Sequence, residues 1–267
     1  MTQNLRLLLI GDVVGKPGRR IIGHTLSRIR QKHSLDFVVV NAENSAGGSG
    51  ITRDIYAELI DYGVDCITLG DHAFRKNEIY QILDQESKIV RPGNLPPESP
   101  GKRFTILQST SGVKVAVFSL LGRVFMNPVD CPFRAADSII EEIRRQDRSL
   151  KVILLDFHAE ATSDKQLMGR YLDGRVTAVL GTHTHVATAD EQIFPGGTAF
   201  QCDVGMTGPF ESIIGRKIER VMEAMRTSRP INYDVATDDL RLNGTIVEVD
   251  TESGKAVKIE RLNVRLH

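Results

Sequence analysis

The sequence predicts an α/β protein in which helices cover mixed β-sheets. Short runs of aliphatic and β-branched residues alternate through most of the chain with segments whose apolar residues recur at helical spacing. Hairpin-like pairs of strands interrupt this alternation, so the sheets should contain antiparallel as well as parallel strands. The 267 residues include no repeat and no low-complexity tract. We therefore expect an α/β sandwich with helices outside, formed as a single domain over residues 1–267.

Three strand–helix units are predicted in the first part of the chain. Residues 5–10 form a nearly continuous apolar run, which is typical of a buried strand, and residues 19–31 carry apolar side chains at helical spacing. Thr52 is a suitable N-cap for the second helix. The second and third units are a strand at 38–40 with a helix at 52–62, and a strand at 64–69 with a helix at 77–85.

The rest of the chain combines hairpins with further strand–helix units. The turns Ser111-Gly112 and Ser253-Gly254 predict two hairpins. Those hairpins join strands 104–108 and 113–119, and strands 244–249 and 256–262. Between them we predict strands at 152–157, 176–180, 193–194 and 198–202 and helices at 134–148, 164–172 and 213–225.

Composition excludes several classes of protein. Lys+Arg and Asp+Glu are equal at 34 each, which argues against a binder of duplex nucleic acid that relies on a basic field. No apolar run reaches the 18 residues of a membrane span, and the run at 7–10 is too short for a signal peptide. Cys66, Cys131 and Cys202 form no CxxC pair, and we expect Cys66 and Cys202 to be buried small hydrophobes. These features predict a cytoplasmic protein.

Polar residues of metal-binding type follow five of the predicted strands. Ligand sites in open α/β sheets lie beyond the carboxyl ends of the strands, so these residues should share one rim. Such a set of residues predicts a transition-metal site. The number of potential ligands favours two ions that lie roughly 3.5–4 Å apart and are bridged by a carboxylate. The residues are Asp12, Glu43, Asn44, Asp71, His72, His158, His183 and His185.

The segment Gly-Thr-His-Thr-His-Val at 181–186 is central to this prediction. Residues i and i+2 face the same way in an extended chain. If the backbone stays extended past Gly181, His183 and His185 point at one spot above the sheet. Taken alone, the two histidines could equally be polar loop residues, and the other strand ends favour the metal site.

Two phosphate-binding motifs are matched only in part. Residues 11–16 resemble a P-loop but are one residue short, and Pro17 stands where Ser or Thr should hold magnesium. Gly48 and Gly50 open a helix after a strand, but Arg53 occupies the third glycine position of a dinucleotide fingerprint. We expect this loop to form a turn or to leave backbone room near a substrate.

The blocks GDxxG, NxEN, G-[N/D]-H, FHAE and GTHTHV, in this order, resemble the calcineurin-like metallophosphoesterase superfamily. Within it the chain is similar to the YmdB-type family of bacterial cyclic-nucleotide phosphodiesterases, from residues 11–19 through 203–209 to the final hairpin. The resemblance implies a four-layer α/β/β/α sandwich with two metal ions, iron or manganese before zinc. It implies hydrolysis of 2′,3′-cyclic nucleotides, with 3′,5′-cyclic nucleotides as further substrates.

The resemblance also implies roles for individual residues. A hydroxide that bridges the two ions would attack phosphorus in line, and His72 would protonate the leaving oxygen. Independently of the resemblance, Glu160 follows His158 closely and could either orient a ligand or cap the loop. Carried over position by position, Asp12, Glu43, Asn44 and His185 would hold one ion, and Glu43, Asp71, His158 and His183 the other.

Asp71 departs from the family pattern, in which an asparagine occupies this position. Its extra negative charge would tighten metal binding, weaken the Lewis acidity of the ions and raise the pKa of bound water. The alternative is that Asp71 is tolerated with little effect.

Other functions stay open at this stage. A phosphomonoesterase or nucleotidase could use the same ions, and a regulatory protein could bind nucleotide there without turnover. The sequence contains no base-recognition motif, so the substrate-binding residues are not predicted. A chain of this size and neutral charge is also compatible with a homo-oligomer.

Overall fold

The structure, a computed structural model, describes residues 4–266. Within that range it contains thirteen strands and six helices. The strands are β1 (Asn4–Ile10), β2 (Phe37–Asn41), β3 (Cys66–Thr68), β4 (Ile89–Val90), β5 (Phe104–Gln108), β6 (Lys114–Leu121), β7 (Val152–His158), β8 (Ala178–Thr182), β9 (Gln192–Ile193), β10 (Ala199–Gln201), β11 (Gly208–Pro209), β12 (Leu240–Asp250) and β13 (Ala256–Arg265). The helices are α1 (Gly15–His33), α2 (Arg53–Asp61), α3 (Ile79–Gln85), α4 (Pro132–Gln146), α5 (Thr162–Tyr171) and α6 (Ile218–Thr227).

The strands form two mixed sheets. The first has the order β11-β12-β1-β2-β3-β4, with β13 also paired to β12. Its strands β1 to β4 are parallel, and β12 is antiparallel to β1. The second has the order β5-β6-β7-β8-β10-β9, in which only the edge strands β5 and β9 are antiparallel to their neighbours. The carboxyl ends of the parallel strands therefore lie along one edge of each sheet.

Side chains of β1 alternate between two hydrophobic cores, as the period of a strand requires. Leu8 and Ile10 pack in the core that α1, α2 and α3 cover. Leu7 and Leu9 pack in the core between the two sheets. A third core lies between the second sheet and helices α4 and α5. The layers are thus helices, sheet, sheet and helices, which confirms the predicted α/β/β/α sandwich.

Two helices begin four or more residues from the predicted position. Helix α1 starts at Gly15, and Pro17 is accommodated because amides in the first turn have no intrahelical acceptor. The prediction that a helix begins at 213 is wrong. Ile213 and Arg216 exchange backbone hydrogen bonds across a tight turn, in which Gly215 has a φ of 95°. Because of this turn, α6 begins only at Ile218.

Other local predictions are confirmed. Thr52 caps α2 by accepting a hydrogen bond from the Ile55 amide. Cys66 and Cys202 are buried, and all three cysteines are free. None of the helices in the described range combines the length and the apolar character needed to cross a membrane.

Candidate metal centre

The carboxyl ends of the two sheets meet at one polar site between the sheets. The structure brings all the predicted residues into it, and each contacts at least one other at 4.0 Å or less. They are Asp12 beyond β1, Glu43 and Asn44 beyond β2, Asp71 and His72 beyond β3, His158 at the end of β7, and His183 and His185 beyond β8.

Four of these residues form a tight cluster of candidate ligand atoms. Glu43, Asp71, His158 and His183 each place one ligand atom within 4.8 Å of all the others. His158 Nε2 lies 3.2 Å from Asp71 Oδ1, 3.4 Å from Glu43 Oε1 and 2.9 Å from His183 Nδ1. Two carboxylates and two imidazoles form a donor set suited to a transition-metal ion.

A second group of potential ligands lies beside this cluster. Asn44 Nδ2 is 3.2 Å from His185 Nε2, and Asp12 Oδ1 is 4.0 Å from the same nitrogen. Asp12 is fully buried, and its Oδ1 has no hydrogen-bond partner. Burial raises the pKa of Asp12 to about 6, because the carboxylate has lost its water. A bound cation would satisfy this oxygen, so the residues fit a metal.

The proton on His158 is assigned by its hydrogen bonds. The single hydroxyl hydrogen of Thr182 is donated to Asp156 Oδ1 at 2.7 Å. The Thr182 oxygen therefore accepts a hydrogen bond from His158 Nδ1 at 2.8 Å, which directs Nε2 toward the cluster. Burial opposes a charge on His158, but Glu43 and Asp71 raise its pKa well above the usual value. A metal ion would replace the proton on Nε2.

Asp156 anchors a buried polar network below the site. Its Oδ2 accepts hydrogen bonds from Asn41 Nδ2 at 2.9 Å and from Thr68 Oγ1 at 2.6 Å, which joins both sheets. Sequence analysis missed these supporting residues. The signal was an aspartate inside the otherwise apolar strand at 152–157, since a buried charge needs partners.

The two histidines beyond β8 reach the site through a turn. Strand β8 ends at Thr182, and His183 and His185 have φ values of 99° and 67°. The premise of an extended chain past Gly181 is therefore wrong. The turn forms because Asp12 Oδ2 accepts a hydrogen bond from the His183 amide at 3.0 Å. As a result the two rings diverge, His183 toward His158 and His185 toward Asn44.

A buried ion pair holds this turn from below. Lys165 Nζ donates to Asp203 Oδ2 at 2.7 Å, with side chains 2% and 1% exposed. The same oxygen accepts hydrogen bonds from the backbone amide and the hydroxyl of Thr184, at 3.0 and 2.7 Å. The residue between the two histidines is thus fixed to α5. No short-range pattern indicated this pair, whose members are 38 positions apart.

His72 lies at the exposed side of the cluster. Its backbone amide donates to Glu43 Oε2 at 2.9 Å, and its Nδ1 lies 2.8 Å from Asn44 Oδ1. With its side chain 27% exposed, His72 borders the open cleft above the buried candidate ligands.

The cleft has a volume of about 300 Å³ and includes two charged residues besides the cluster. Glu160 Oε2 lies 3.2 Å from Nε2 of the candidate ligand His183, and a role in orienting that ligand stays a prediction. Arg216, which sequence analysis missed, donates to the carbonyls of Gly47, Gly48 and Tyr233. A Cβ on Gly48 would overlap the Arg216 guanidinium, so this glycine leaves room for the arginine.

Comparisons with known sequences match the chain almost from end to end. A profile of the family described as "YmdB-like protein" matches residues 8–262. The chain is 44% identical over 258 residues to the 2′,3′-cyclic-nucleotide 2′-phosphodiesterase of Bacillus subtilis (strain 168). That alignment covers 97% of this chain and 96% of the relative.

Two solved structures share the fold along nearly the whole chain. A hypothetical protein from Thermus thermophilus superposes with a TM-score of 0.90 and 41% identity, covering 98% of this chain and 99% of the other. A novel phosphatase from Mycoplasma pneumoniae superposes with a TM-score of 0.91 and 33% identity, covering 99% and 95%.

Proposed function

Because the chain belongs to the family of YmdB-like proteins, we propose that it is a metal-dependent phosphodiesterase acting on 2′,3′-cyclic nucleotides. The observation that carries the proposal is the cluster of Glu43, Asp71, His158 and His183 at the base of an open cleft. The Bacillus subtilis relative, named for this activity, matches the chain almost end to end. The substrate class follows from that relative, and the chemistry follows from the cluster.

The ligand groups support two ions. Glu43, Asp71, His158 and His183 would hold one, and Asp12, Asn44 and His185 would hold the other, with Glu43 between them. Iron and manganese are the metals we propose first, and zinc also suits the donor set. When bound, such ions neutralise charge on the phosphoryl oxygens and lower the pKa of coordinated water. The protein supplies the positions of the ligands and the buried hydrogen bonds behind them.

His72 is the residue we assign to proton transfer. Its Nδ1 is held by Asn44 Oδ1, which leaves Nε2 for the substrate. Protonation of the departing ribose oxygen by Nε2 would remove the need to expel an alkoxide. A positioned general acid of this kind contributes typically 10²–10⁴-fold.

Arg216 is the residue we assign to orientation of the phosphate. Three of its N–H groups donate to backbone carbonyls, and a guanidinium carries five. Within residues 4–266, no carboxylate lies within ion-pair distance of Arg216. The two remaining N–H groups would bind an anionic oxygen of the substrate.

A phosphomonoesterase is the second candidate, because the similar Mycoplasma pneumoniae structure is described as a phosphatase. The test compares 2′,3′-cyclic AMP, 3′,5′-cyclic AMP and 3′-AMP as substrates of the manganese- or iron-loaded protein. We expect 2′,3′-cyclic AMP to be opened to 3′-AMP, which then accumulates. Release of inorganic phosphate from 3′-AMP at a higher rate would favour the monoesterase.

Variants of two histidines sharpen the test. His72→Ala should lower kcat for the cyclic substrate at least a hundredfold, while metal content stays at the wild-type value. His24→Ala, which changes an exposed histidine of α1, serves as the control. A metal-loaded protein that binds nucleotide but hydrolyses none of the three would exclude the catalytic proposal and leave a regulatory one.

A further inference from the structure

A second, larger cleft carries a group of arginines. It has a volume of about 680 Å³ and lies between the segment after β4 and the start of α4. Arg91, Arg103 and Arg134 line it, with Asp130 as the one acidic residue among its lining residues. It has no lining residue in common with the cleft of the metal centre. The cleft therefore has an excess of positive charge that the metal centre does not use.

Arg91 is the most unusual of the three arginines. It is only 2% exposed, and an arginine stays charged at neutral pH. Its Nη1 donates to the Pro92 carbonyl at 2.8 Å, but its Nε is buried without a hydrogen-bond partner. No carboxylate in the described range lies within ion-pair distance of it. Such a buried cation costs free energy unless an anion accompanies it.

The surroundings of Arg91 further raise the free-energy cost of its buried charge. Burial and then the neighbouring Arg103 lower the pKa of Arg91, because each disfavours its charge. Arg103 is paired with Glu142, but the exposed side chain of Arg134 makes no hydrogen bond or ion pair within residues 4–266. Helix α4 begins at Pro132, and its first turn adds amide groups and a partial positive charge on the same side.

We propose that this cleft binds a phosphate-bearing small molecule, whose phosphate lies between Arg91 and Arg134 at the start of α4. Arginine forks and helix N-termini both bind phosphate oxygens. The cleft is more than twice the volume of the cleft above the metals, so it has room for a group attached to the phosphate. This site is independent of the proposed hydrolysis, since none of its residues reaches the metal cluster.

Cys131 provides a local readout for the test. It lines the cleft and is partly exposed, whereas Cys66 and Cys202 are buried. The metal-loaded protein is alkylated with iodoacetamide, a neutral reagent, and the modification of Cys131 is followed by mass spectrometry. Pyrophosphate and AMP are the probes, and adenosine is the uncharged control. We expect both anions to slow alkylation saturably, and adenosine to have no effect.

Three variants identify the binding residues. Arg134→Ala should raise the half-protecting concentration about tenfold, since a hydrogen bond to a charged group is lost. Arg91→Met should abolish the protection of Cys131 against alkylation. If this substitution of a buried residue prevents folding, Arg134→Ala still tests the proposal. Arg145→Ala, at the other end of α4, should leave protection unchanged.

Some results would overturn the proposal. They are alkylation that neither anion slows, or protection that persists unchanged in Arg134→Ala. Hydrolysis of 2′,3′-cyclic AMP is measured in the same samples. Loss of anion protection in Arg134→Ala with normal hydrolysis separates this site from the metal centre. Normal protection without hydrolysis would count against the proposed function alone.

Discussion

The two sheets contribute different chemistry to the metal centre. Apart from Asn44, the candidate metal ligands are carboxylates on the first sheet and imidazoles on the second. Carboxylates crowded together repel one another, while the imidazoles bring positive or neutral groups between them. The contributed residues are Asp12, Glu43 and Asp71 from the first sheet, and His158, His183 and His185 from the second.

The supports behind the two halves also differ. His158 is held by Thr182 and Asp156, and the turn beyond β8 is held by Lys165 and Asp203. On the first sheet, Asp12 keeps an oxygen without a partner. The imidazole half is therefore positioned by protein hydrogen bonds, whereas the carboxylate half retains one buried oxygen, Asp12 Oδ1, that a cation would satisfy. Mutations in the two halves should therefore impair the protein in different ways.

The largest effect is expected in the carboxylate half. Glu43→Gln removes the carboxylate that contacts both His72 and His158. We expect kcat/KM for 2′,3′-cyclic AMP to fall about a thousandfold, because several kcal/mol of charge stabilisation would depend on the ions that we propose Glu43 holds. Metal content should fall with activity while the melting temperature is retained. Glu219→Gln, an exposed residue of α6, is the control, and full activity in Glu43→Gln would contradict the assignment.

A mutation beneath the imidazole half should lower the stability of the protein. Asp203→Asn leaves the Lys165 charge buried, which we expect to lower the free energy of unfolding by about 3 kcal/mol. Denaturant unfolding measures this loss. Asp234→Asn breaks the ion pair with Lys217, whose side chains are 57% and 48% exposed, and should cost less than about 1 kcal/mol. Equal losses in the two variants would show that the buried pair does not anchor the turn.

A smaller effect on the same half is expected from Thr182→Val. The change keeps the shape but removes the group that accepts from His158 Nδ1 and donates to Asp156. We expect metal affinity to fall about 10–100-fold, as for other residues that orient a metal-bound histidine. Competition with a chelator measures the affinity. The exposed Thr237→Val is the control, and unchanged affinity would mean that the ring is oriented without Thr182.

The smallest effect is expected at Asp71, where the resemblance to the superfamily implies an asparagine. Asp71 Oδ1 lies 3.2 Å from His158 Nε2, within the cluster. Asp71→Asn removes one negative charge, so we expect metal affinity to fall about tenfold and kcat at saturating metal to rise. The exposed Asp61→Asn should change neither quantity. If kcat stays constant at full metal occupancy, Asp71 is simply tolerated.

The strand ends could be predicted because each depends on a local pattern. One apolar run ends near Ile10 and is followed by a polar residue, and another ends with the polar residue His158. Parallel strands bring such residues to one edge of the sheet. The turn at His183 could not be predicted, because it depends on a hydrogen bond to Asp12, far away in the chain. Arg216 could not be predicted for the same reason, because its hydrogen-bond partners Gly47 and Gly48 are also far away in the chain.

The strand order has a consequence for synthesis on the ribosome. Strand β1 is inside the first sheet, where its residues 4–10 pair with residues 244–250 of β12. One edge of β1 therefore stays unpaired until residues 244–250 have been translated, about ten to fifty seconds later at ordinary elongation rates. An open strand edge can pair with other chains. Until β12 has been synthesised, this edge of the nascent chain is therefore open to mispairing.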